Sequence, residues 1–462
     1  MNFTKYILSC SFLILFSSLY AQDSPSNWRA YYGGEGLEQA NAIEQLPIGG
    51  YIIAGKTNSK QHDITMSFGR DDAWVLRIDS SGNLLWQVSL GQKNDDEATC
   101  IAVGSTGNIA VAGYSTYVKN TRIGHHGGKD VYFALLDISG HVLQQHFYGG
   151  SGAEGACSIQ ATLDGGYFIA ATTDSKDGDV TGLHGNSDIW IIRIDSVGKL
   201  LWQKCYGGTK EEQAVAIQET YNGQYIITAY SKSSDGDVKG NKGKFDYYWF
   251  EIDTAGVVLM SGTRGGKQND KACAGIPTWD NGFLLAGSST SNNGDVKGNH
   301  GKQDYWLIKL DSAGKTQWQQ CIGGSKDDVA TGLVQTYEGG YAMCGYTWSH
   351  DKDISQPKGK CDFWIVKIDS VGKLEWEASI GDSSWNVANC IAATSDWGLI
   401  VGGFSESRKK DFSNVSSAPS PDGCGNNCAE AACAAGFLWV AALTYDLLKP
   451  RLQFRDVWIV KF

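Results

Sequence analysis

The sequence predicts an all-β fold, a seven-bladed β-propeller with four antiparallel strands in each blade. Three observations predict it: one unit returns every 58 residues, each unit holds four short apolar stretches, and one such stretch stands alone at the N-terminal end. One glycine per unit marks the period: Gly33, Gly91, Gly149, Gly207, Gly265, Gly323 and Gly381. A fixed period of this length indicates neighbouring copies of one supersecondary unit.

The unit that begins at Gly149 illustrates the order of the elements. Its four predicted strands are Ala156–Thr162, Tyr167–Thr172, Asp188–Asp195 and Lys199–Tyr206. An Asp-Gly-Gly turn, a long loop and a Val-Gly hairpin turn separate them in that order. Glycine in these turns permits the positive φ angles that tight connections need. The first strand is rich in Ala and Cys, so we expect it to lie innermost, where blades crowd together.

The two ends of the chain predict how the ring closes. Asp456–Phe462 matches a third strand, and no fourth strand follows it. Asn27–Tyr32 matches a fourth strand, with Trp28 at the tryptophan position, and no blade precedes it. We therefore expect the N-terminal strand to complete the seventh and last blade, which leaves few exposed sheet edges.

The domain organisation follows from the same comparison. Residues 1–21 read as a cleavable secretory signal peptide, with Lys5, an apolar stretch and a small-residue exit at Ala21. Residues 22–462 form a single propeller domain, with an insertion at about 414–454 in the seventh blade. We interpret the insertion as a loop with a short apolar helix on the propeller face. A capping or partner-binding element and a sequence artefact are the alternatives.

The composition limits the cellular locations and the classes of binding partner that we expect. The formal net charge is −11, which disfavours nucleic acid and anionic membranes as partners. No integral membrane segment is expected, and we expect an exported monomer that is periplasmic, on the outer surface or extracellular. Most cysteines occupy positions where sister units carry small apolar residues. Cys424, Cys428 and Cys433 are the exception and could hold one disulfide.

A ring of carboxylates is the strongest candidate ligand site. Its members recur at one repeat position: Glu38, Asp96, Glu154, Glu212, Asp270 and Asp328, with Asn386 in the seventh unit. In a closed ring they would surround one mouth of the central channel and attract a cation such as Ca²⁺. The alternative is that each carboxylate caps backbone N–H groups of its own turn.

The long loops supply a candidate metal site. They carry Asp-Gly-Asp or Asn-Gly-Asp at one repeat position, in which the candidate ligands are Asp177, Asp179, Asp235, Asp237 and Asp295. This pattern matches part of a calcium loop but lacks the distal glutamate, and Asp and Gly also simply form turns. Ca²⁺ is thus the one ion considered, and no organic cofactor is expected.

Aromatic departures from the repeat are the remaining candidate ligand contacts. Tyr117, Trp279, Trp348 and Trp385 could stack on sugars or peptides, or could simply pack between loops. We expect them on the face that carries the long loops and the acidic ring. Catalytic motifs such as GxSxG, HExxH and the phosphate-binding loop are absent from the sequence, and no catalytic residue is assigned.

The repeat units resemble those of secreted bacterial β-propeller proteins, of the kind found among type IX secretion cargo. The resemblance is carried by Asp164–Ala170, Asp188–Asp195, Trp202 and Tyr206-Gly207-Gly208. It implies an exported protein that is non-enzymatic or uncharacterised. A weaker resemblance, in Asp195-x-x-Gly198-x-x-x-Trp202, is to the tryptophan-docking motif of quinoprotein-like propellers. It implies that the tryptophan packs between blades.

The predicted function is that of an exported, non-enzymatic binding or scaffold propeller. Its ligand would be a protein or a glycan, recognised through one face of loops. The alternative is a hydrolase or lyase that acts on polysaccharide and is built on a propeller.

Overall fold

The computed structural model describes residues 28–116, 124–405, 438–440 and 457–461, and every regular element in these ranges is a β-strand. The first strand, β1 (Arg29–Tyr32), precedes six sheets of four antiparallel strands, numbered here as blades 1 to 6. Consecutive strands pair within each blade. The fold is therefore a β-propeller.

The strands of the six blades have these bounds. Blade 1 contains β2 (Glu38–Gln45), β3 (Tyr51–Thr57), β4 (Asp72–Ile78) and β5 (Leu84–Leu90). Blade 2 contains β6 (Asp96–Val103), β7 (Ile109–Thr116), β8 (Lys129–Leu136) and β9 (Val142–Tyr148). Blade 3 contains β10 (Glu154–Ala161), β11 (Tyr167–Thr173), β12 (Asp188–Ile194) and β13 (Leu200–Tyr206). Blade 4 contains β14 (Glu212–Glu219), β15 (Tyr225–Ser231), β16 (Asp246–Ile252) and β17 (Val258–Arg264). Blade 5 contains β18 (Asp270–Pro277), β19 (Phe283–Ser289), β20 (Asp304–Leu310) and β21 (Thr316–Ile322). Blade 6 contains β22 (Asp328–Gln335), β23 (Tyr341–Thr347), β24 (Asp362–Ile368) and β25 (Leu374–Ile380).

The prediction of seven four-stranded antiparallel blades is wrong, because only six sheets have that form in the part of the chain that the structure describes. The remaining sheet, called the closing sheet, has five strands in the order β1-β29-β28-β27-β26. Besides β1 it contains β26 (Asn386–Ala393), β27 (Leu399–Ser405), β28 (Leu438–Val440) and β29 (Val457–Lys461). One of its pairings, between β27 and β28, is parallel.

The closing sheet differs because its strands come from separate stretches of the chain. β1 pairs antiparallel with β29, with Arg29 opposite Val460. β28 lies within the insertion and pairs with both β27 and β29, so no single repeat unit dictates the composition of this sheet. The helix expected in the insertion is absent at Leu438–Val440, which form a strand; the rest of 414–454 lies outside the described residues.

The ring is held together by contacts between neighbouring sheets. Asn389 of the closing sheet donates to the Ala40 carbonyl of blade 1 at 3.0 Å, and Thr99 of blade 2 donates to the Ala156 carbonyl of blade 3 at 2.7 Å. Tryptophans of the fourth strands also reach the next blade. Trp86 Nε1, for example, donates to the Ile138 carbonyl at 3.0 Å. The tryptophan that marks the repeat thus packs between blades.

Buried apolar strands form the core between the sheets. The second and third strands of each blade are almost wholly buried, and Trp74, Trp190, Trp306 and Trp364 are the largest enclosed side chains. Five cysteines in the described ranges are buried: Cys100, Cys321, Cys344, Cys361 and Cys390. Cys424, Cys428 and Cys433 lie outside the described residues, as does the range 1–21. Among the described residues, no helix is long and apolar enough to cross a membrane.

Candidate ligand-binding faces

The propeller presents two faces that differ in their connections. One, called the loop face, carries the long loops between second and third strands and the links that lead into each first strand. The other, called the turn face, carries the turns between first and second strands and between third and fourth strands. Because strands within a blade are antiparallel, these two sets of connections lie at opposite ends of the strands.

The acidic ring lies at the loop-face end of the first strands, but its side chains are buried. Glu38, Asp96, Glu154, Glu212, Asp270, Asp328 and Asn386 are all at most 1% exposed. Each position is the first residue of its strand, directly after the turn that carries the repeat glycines. The ring therefore sits beneath those turns and presents no open acidic surface.

The contacts of the ring carboxylates lie within their own blades. Glu212 accepts hydrogen bonds from the Gly208 N–H at 2.8 Å and from the Ser231 hydroxyl at 2.6 Å. Glu154 accepts the equivalent bonds from Gly150 and Thr173, each at 2.8 Å. These contacts are those expected of the turn-capping alternative. Binding of a ligand by the ring stays a prediction.

A second buried carboxylate lies beside each of several ring members. A Cβ placed on Gly207 would lie 2.5 Å from Glu212 Oε2 and 2.9 Å from Asp188 Oδ1, so both oxygens converge on this glycine. Burial raises the pKa of Asp96 to about 6, that of Asp246 to about 7 and that of Asp304 to about 6. These carboxyl groups consequently retain protons at a higher pH than exposed aspartates do.

The candidate metal ligands of the long loops accept hydrogen bonds from backbone N–H groups of the turns that carry the repeat glycines. Asp177 Oδ1 accepts from the Ser151 N–H at 2.7 Å and Asp179 Oδ2 from the Gly149 N–H at 3.2 Å. In blade 4, Asp235 accepts from the Thr209 N–H at 2.8 Å, and Asp237 from the Gly207 N–H at 3.1 Å.

The same hydrogen bond recurs in blade 5, where Asp295 accepts from the Gly265 N–H at 3.0 Å. Asp295 also forms an ion pair with Lys242. The hydrogen bonds from Ser151 hold the pKa of Asp177 below its usual value. No group of three or more His, Cys, Asp or Glu that could hold a metal ion occurs in the described ranges. Calcium binding stays a prediction.

The first strands line a central cavity of about 400 Å³, with wall residues from all six blades and the closing sheet. Glu44 is a carboxylate in this wall, and its Oε2 accepts from the Val103 N–H at 3.2 Å. Burial raises the pKa of Glu44 to about 7. This carboxyl group can therefore exchange a proton near neutral pH.

Two of the predicted aromatic contacts meet on the loop face. Trp348 follows β23 and Trp385 precedes β26, and their ring centroids lie 5.7 Å apart in an edge-on arrangement. Tyr346 lies 6.4 Å from Trp348, so the three rings form a cluster. Tyr117 lies outside the described residues.

The expected position of Trp279 is wrong. Trp279 lies in the turn between β18 and β19, which places it on the turn face, opposite the acidic ring. The Asp-Gly-Gly turns join first to second strands, whereas the long loops join second to third. The Asp-Gly-Gly turn motif therefore identifies the turn face in the sequence. Trp279 lies in the corresponding turn of blade 5 and so lies on that face.

Trp279 belongs to a run of exposed aromatic residues, called the aromatic arc. Its members lie in the first turns of successive sheets: Tyr221 (59% exposed), Trp279 (55%), Tyr337 (48%) and Trp397 (49%). Tyr337 and Trp397 have ring centroids 6.2 Å apart, and a Cβ placed on Gly339 would lie 3.3 Å from Trp279 Cζ3. Contiguous exposed apolar surface of this kind marks a binding site more often than chance.

A cavity of about 870 Å³ adjoins the arc between blades 5 and 6. Trp279, Trp318 and Tyr341 supply aromatic walls. The charged groups in the wall are Asp280, Lys309, Asp311, Lys315 and Glu338. Lys309 is buried and pairs with Asp280 at 2.7 Å, which helps hold the pKa of Asp280 at about 2. The cation is thus enclosed and the partly exposed carboxylate stays ionised. The cavity thus combines aromatic walls with fixed charged groups, which can orient a polar ligand.

Most of the arc was missed by sequence reasoning, although its signal was present. Leu163, Tyr221, Trp279 and Tyr337 are 58 residues apart and carry large side chains where the other units have Pro47, Ser105 and Ser395. Only Trp279 was singled out. A comparison of all units at this turn position would have found Tyr221, Trp279 and Tyr337, whereas Trp397 lies two residues after the equivalent position, Ser395.

Comparisons with known proteins agree on the fold and say little more. No family model matches the chain. The regulatory protein FlaEY of Caulobacter vibrioides is 23% identical over 333 residues, which cover 70% of this chain and 31% of FlaEY. The chain thus spans about a third of the length of that relative.

Solved structures with a similar fold share little sequence. Hydrazine synthase of Kuenenia stuttgartiensis is 10% identical with a TM-score of 0.50, and the match covers 83% of this chain and 95% of that chain. A Bacteroides caccae protein of unknown function is 15% identical, with a TM-score of 0.39 and coverages of 71% and 93%. An ulvan lyase of polysaccharide lyase family 25 is 10% identical, with a TM-score of 0.46 and coverages of 81% and 93%. Such likeness concerns the fold alone.

Proposed function

We propose that this chain is an exported, non-enzymatic binding propeller that recognises a glycan on its turn face. The observation that carries the proposal is the aromatic arc, in which four consecutive sheets each present one exposed ring. A ligand made of repeating units matches a surface made of repeating units. Aromatic rings pack against the apolar C–H face of a pyranose, and the carboxylates beside them accept hydrogen bonds from sugar hydroxyls.

The charges of the turn face favour a neutral or basic glycan over an acidic one. Arg193 and Lys309 are buried, and they pair with Asp164 and Asp280, which are exposed. In the wall of the cavity beside the arc, the carboxylates Asp280, Asp311 and Glu338 therefore outnumber the exposed cation Lys315, and this excess of negative charge would repel an acidic polysaccharide. A protein ligand would need no repeated subsites, which is why we favour a glycan.

The test is a screen of soluble oligosaccharides by isothermal titration calorimetry, followed by paired variants. Trp279→Ala removes a ring from the arc, and Trp385→Ala removes a comparably exposed ring from the loop face as the matched control. Loss of one central aromatic contact is expected to weaken binding by about 2 kcal/mol, or about thirtyfold. The proposal would be contradicted if the two variants weakened binding equally. It would also be contradicted if the wild-type protein bound none of the oligosaccharides.

The alternative of a polysaccharide-acting enzyme is supported by one observation, the Glu44 carboxyl in the central cavity. Its raised pKa, about 7, suits a general acid or base. Release of reducing ends or unsaturated products from a polysaccharide, abolished by Glu44→Gln, would favour the enzyme. No product from any bound glycan would favour the binding protein.

A further inference from the structure

Blade 4 departs from its sister blades at one cross-strand pair near the turn face. In blades 1, 3, 5 and 6 this pair joins a cation of the third strand to the tryptophan of the fourth: Arg77–Trp86, Arg193–Trp202, Lys309–Trp318 and Lys367–Trp376. In blade 2 the pair is the uncharged Leu135–Gln144, and in blade 4 it is Glu251–Met260. The charge is thus reversed and the large ring is lost at the same place.

The turn opposite this pair has changed with it. Arg193, Lys309 and Lys367 each pair with an acidic residue of the first turn, at 2.5, 2.7 and 3.3 Å. The equivalent turn residue in blade 4 is Asn222. No ion pair to Glu251 occurs among the residues that the structure describes. Its polar neighbour is the Gln224 amide, which, when turned so that its nitrogen faces the carboxylate, donates to the two oxygens at 2.9 and 3.2 Å.

Glu251 is therefore an enclosed carboxylate without a cation. It is only 3% exposed, and its burial raises its pKa. An ionised carboxylate in such a place is costly unless it is paired. The cost is offset if a positive group from outside the chain completes the pair.

The exchange of tryptophan for Met260 opens the space that such a group needs. A cavity of about 430 Å³ lies here, and its walls include Tyr221, Gln224, Glu251, Met260 and Phe283. No Lys, Arg or His lines it. The contact that the fourth-strand tryptophan makes in sister blades is made instead by Trp249, which reaches Gly314. The blade interface stays closed while the cavity stays open.

The walls of this cavity match an ammonium group. Aromatic faces attract cations, the Met260 thioether is polarisable, and one carboxylate supplies the opposite charge. Tyr221 is shared with the aromatic arc, so a ligand lying along the arc reaches this cavity directly.

We propose that the Glu251 cavity binds the ammonium group of an amino sugar, so that the glycan held by the aromatic arc carries free amino groups. This inference rests on the proposed function, because the arc must bind a glycan for the cavity to select one. An N-acetylated sugar carries no charge at this position, and a neutral glucan carries no nitrogen. Neither would compensate the Glu251 carboxylate.

The experiment compares three oligosaccharides of the same length and the same β-1,4 linkage. They are oligomers of glucosamine, of N-acetylglucosamine and of glucose, titrated calorimetrically into the full-length protein at mildly acidic pH. The wild-type protein is expected to bind the glucosamine oligomer about tenfold or more tightly than the other two, because a buried charge pair is added.

Three variants test whether the preference for the glucosamine oligomer arises at the Glu251 cavity. Glu251→Gln keeps the shape and a polar partner for Gln224 but removes the charge, and should abolish the preference while retaining the weaker binding common to all three ligands. Met260→Trp restores the sister residue and should have the same effect by filling the cavity. Glu211→Gln, an equal charge change on the loop face of the same blade, should leave the preference intact. If Glu251→Gln does not fold, Met260→Trp still decides.

The outcomes separate the two proposals. Equal affinity for the three oligomers in the wild-type protein overturns this inference and leaves the arc as a glycan site. A preference for glucosamine that persists in both Glu251→Gln and Met260→Trp also overturns it. Absence of binding to all three oligomers overturns the glycan-binding function for β-1,4-linked ligands, and the amino-sugar inference with it.

Discussion

Removal of one ring carboxylate should destabilise the propeller strongly, although that residue lies on no exposed surface. Glu212 is fully buried and accepts hydrogen bonds from the Gly208 N–H at 2.8 Å and the Ser231 hydroxyl at 2.6 Å. Glu212→Ala leaves both buried donors without an acceptor. Hydrogen bonds to a charged group contribute about 1.5–3 kcal/mol each, so the expected loss of unfolding free energy is about 3–5 kcal/mol.

The adjacent residue offers a matched control. Glu211 pairs with Lys232 at 2.7 Å on the surface, with both side chains partly exposed. Such pairs contribute at most about 1 kcal/mol, so Glu211→Ala should change stability little. Urea unfolding of both variants, followed by tryptophan fluorescence, gives the two free energies if the slopes with urea are equal. A loss below about 1 kcal/mol for Glu212→Ala would refute the structural role and return the acidic ring to candidacy as a ligand site.

Three further predictions concern stability. Burial raises the folded-state pKa of Asp246 to about 7 and that of Asp304 to about 6, so these groups stabilise the fold fully below about pH 4 and lose that contribution as the pH rises through 6 and 7. The melting temperature should therefore fall between about pH 5 and about pH 8. The fall should be smaller in Asp246→Asn. An equal or larger fall in Asp246→Asn would contradict this account. If the predicted calcium loops bind metal, replacing EDTA by Ca²⁺ should raise the melting temperature; an unchanged melting temperature would assign the loop carboxylates to the backbone N–H groups from which they accept hydrogen bonds. Gly207→Ala should cost about 1–3 kcal/mol in a urea melt, because its Cβ would lie 2.5 Å from Glu212 Oε2. Gly155→Ala, whose Cβ would meet nothing within 4 Å, is the control and should be neutral; equal losses would exclude crowding as the cause.

The strand order of a single blade could be predicted from the sequence because it depends on local signals. In blade 3 the apolar runs, the Asp-Gly-Gly turn and the Val-Gly hairpin lie next to one another in the chain. The third strand was accordingly predicted to end within one residue of its observed bound at Ile194. In the closing sheet, the pairing of β1 with β29 was predicted from the strands at the two ends of the chain, but β28 was not, because it comes from the insertion, to which no repeat unit corresponds.

The burial of individual side chains and the pairing of their charges were harder to predict than the order of the strands. The repeat position of Glu212 was evident, but whether its carboxylate faces solvent or its own turn depends on how the turn folds back over the strand. The substitution of Met260 for tryptophan was visible in the sequence, whereas the accompanying change to Glu251 was missed. Its meaning depends on the cross-strand register, which brings the two side chains together.

The measurement that tests the central claim most directly is oxidative footprinting of the tryptophans with and without a bound glycan. Trp279 and Trp397 lie on the turn face and Trp385 on the loop face, and all three are about half exposed. Binding to the aromatic arc predicts that a saturating oligosaccharide protects Trp279 and Trp397 from oxidation and leaves Trp385 reactive. Protection of Trp385 alone would place the ligand on the loop face and contradict the account.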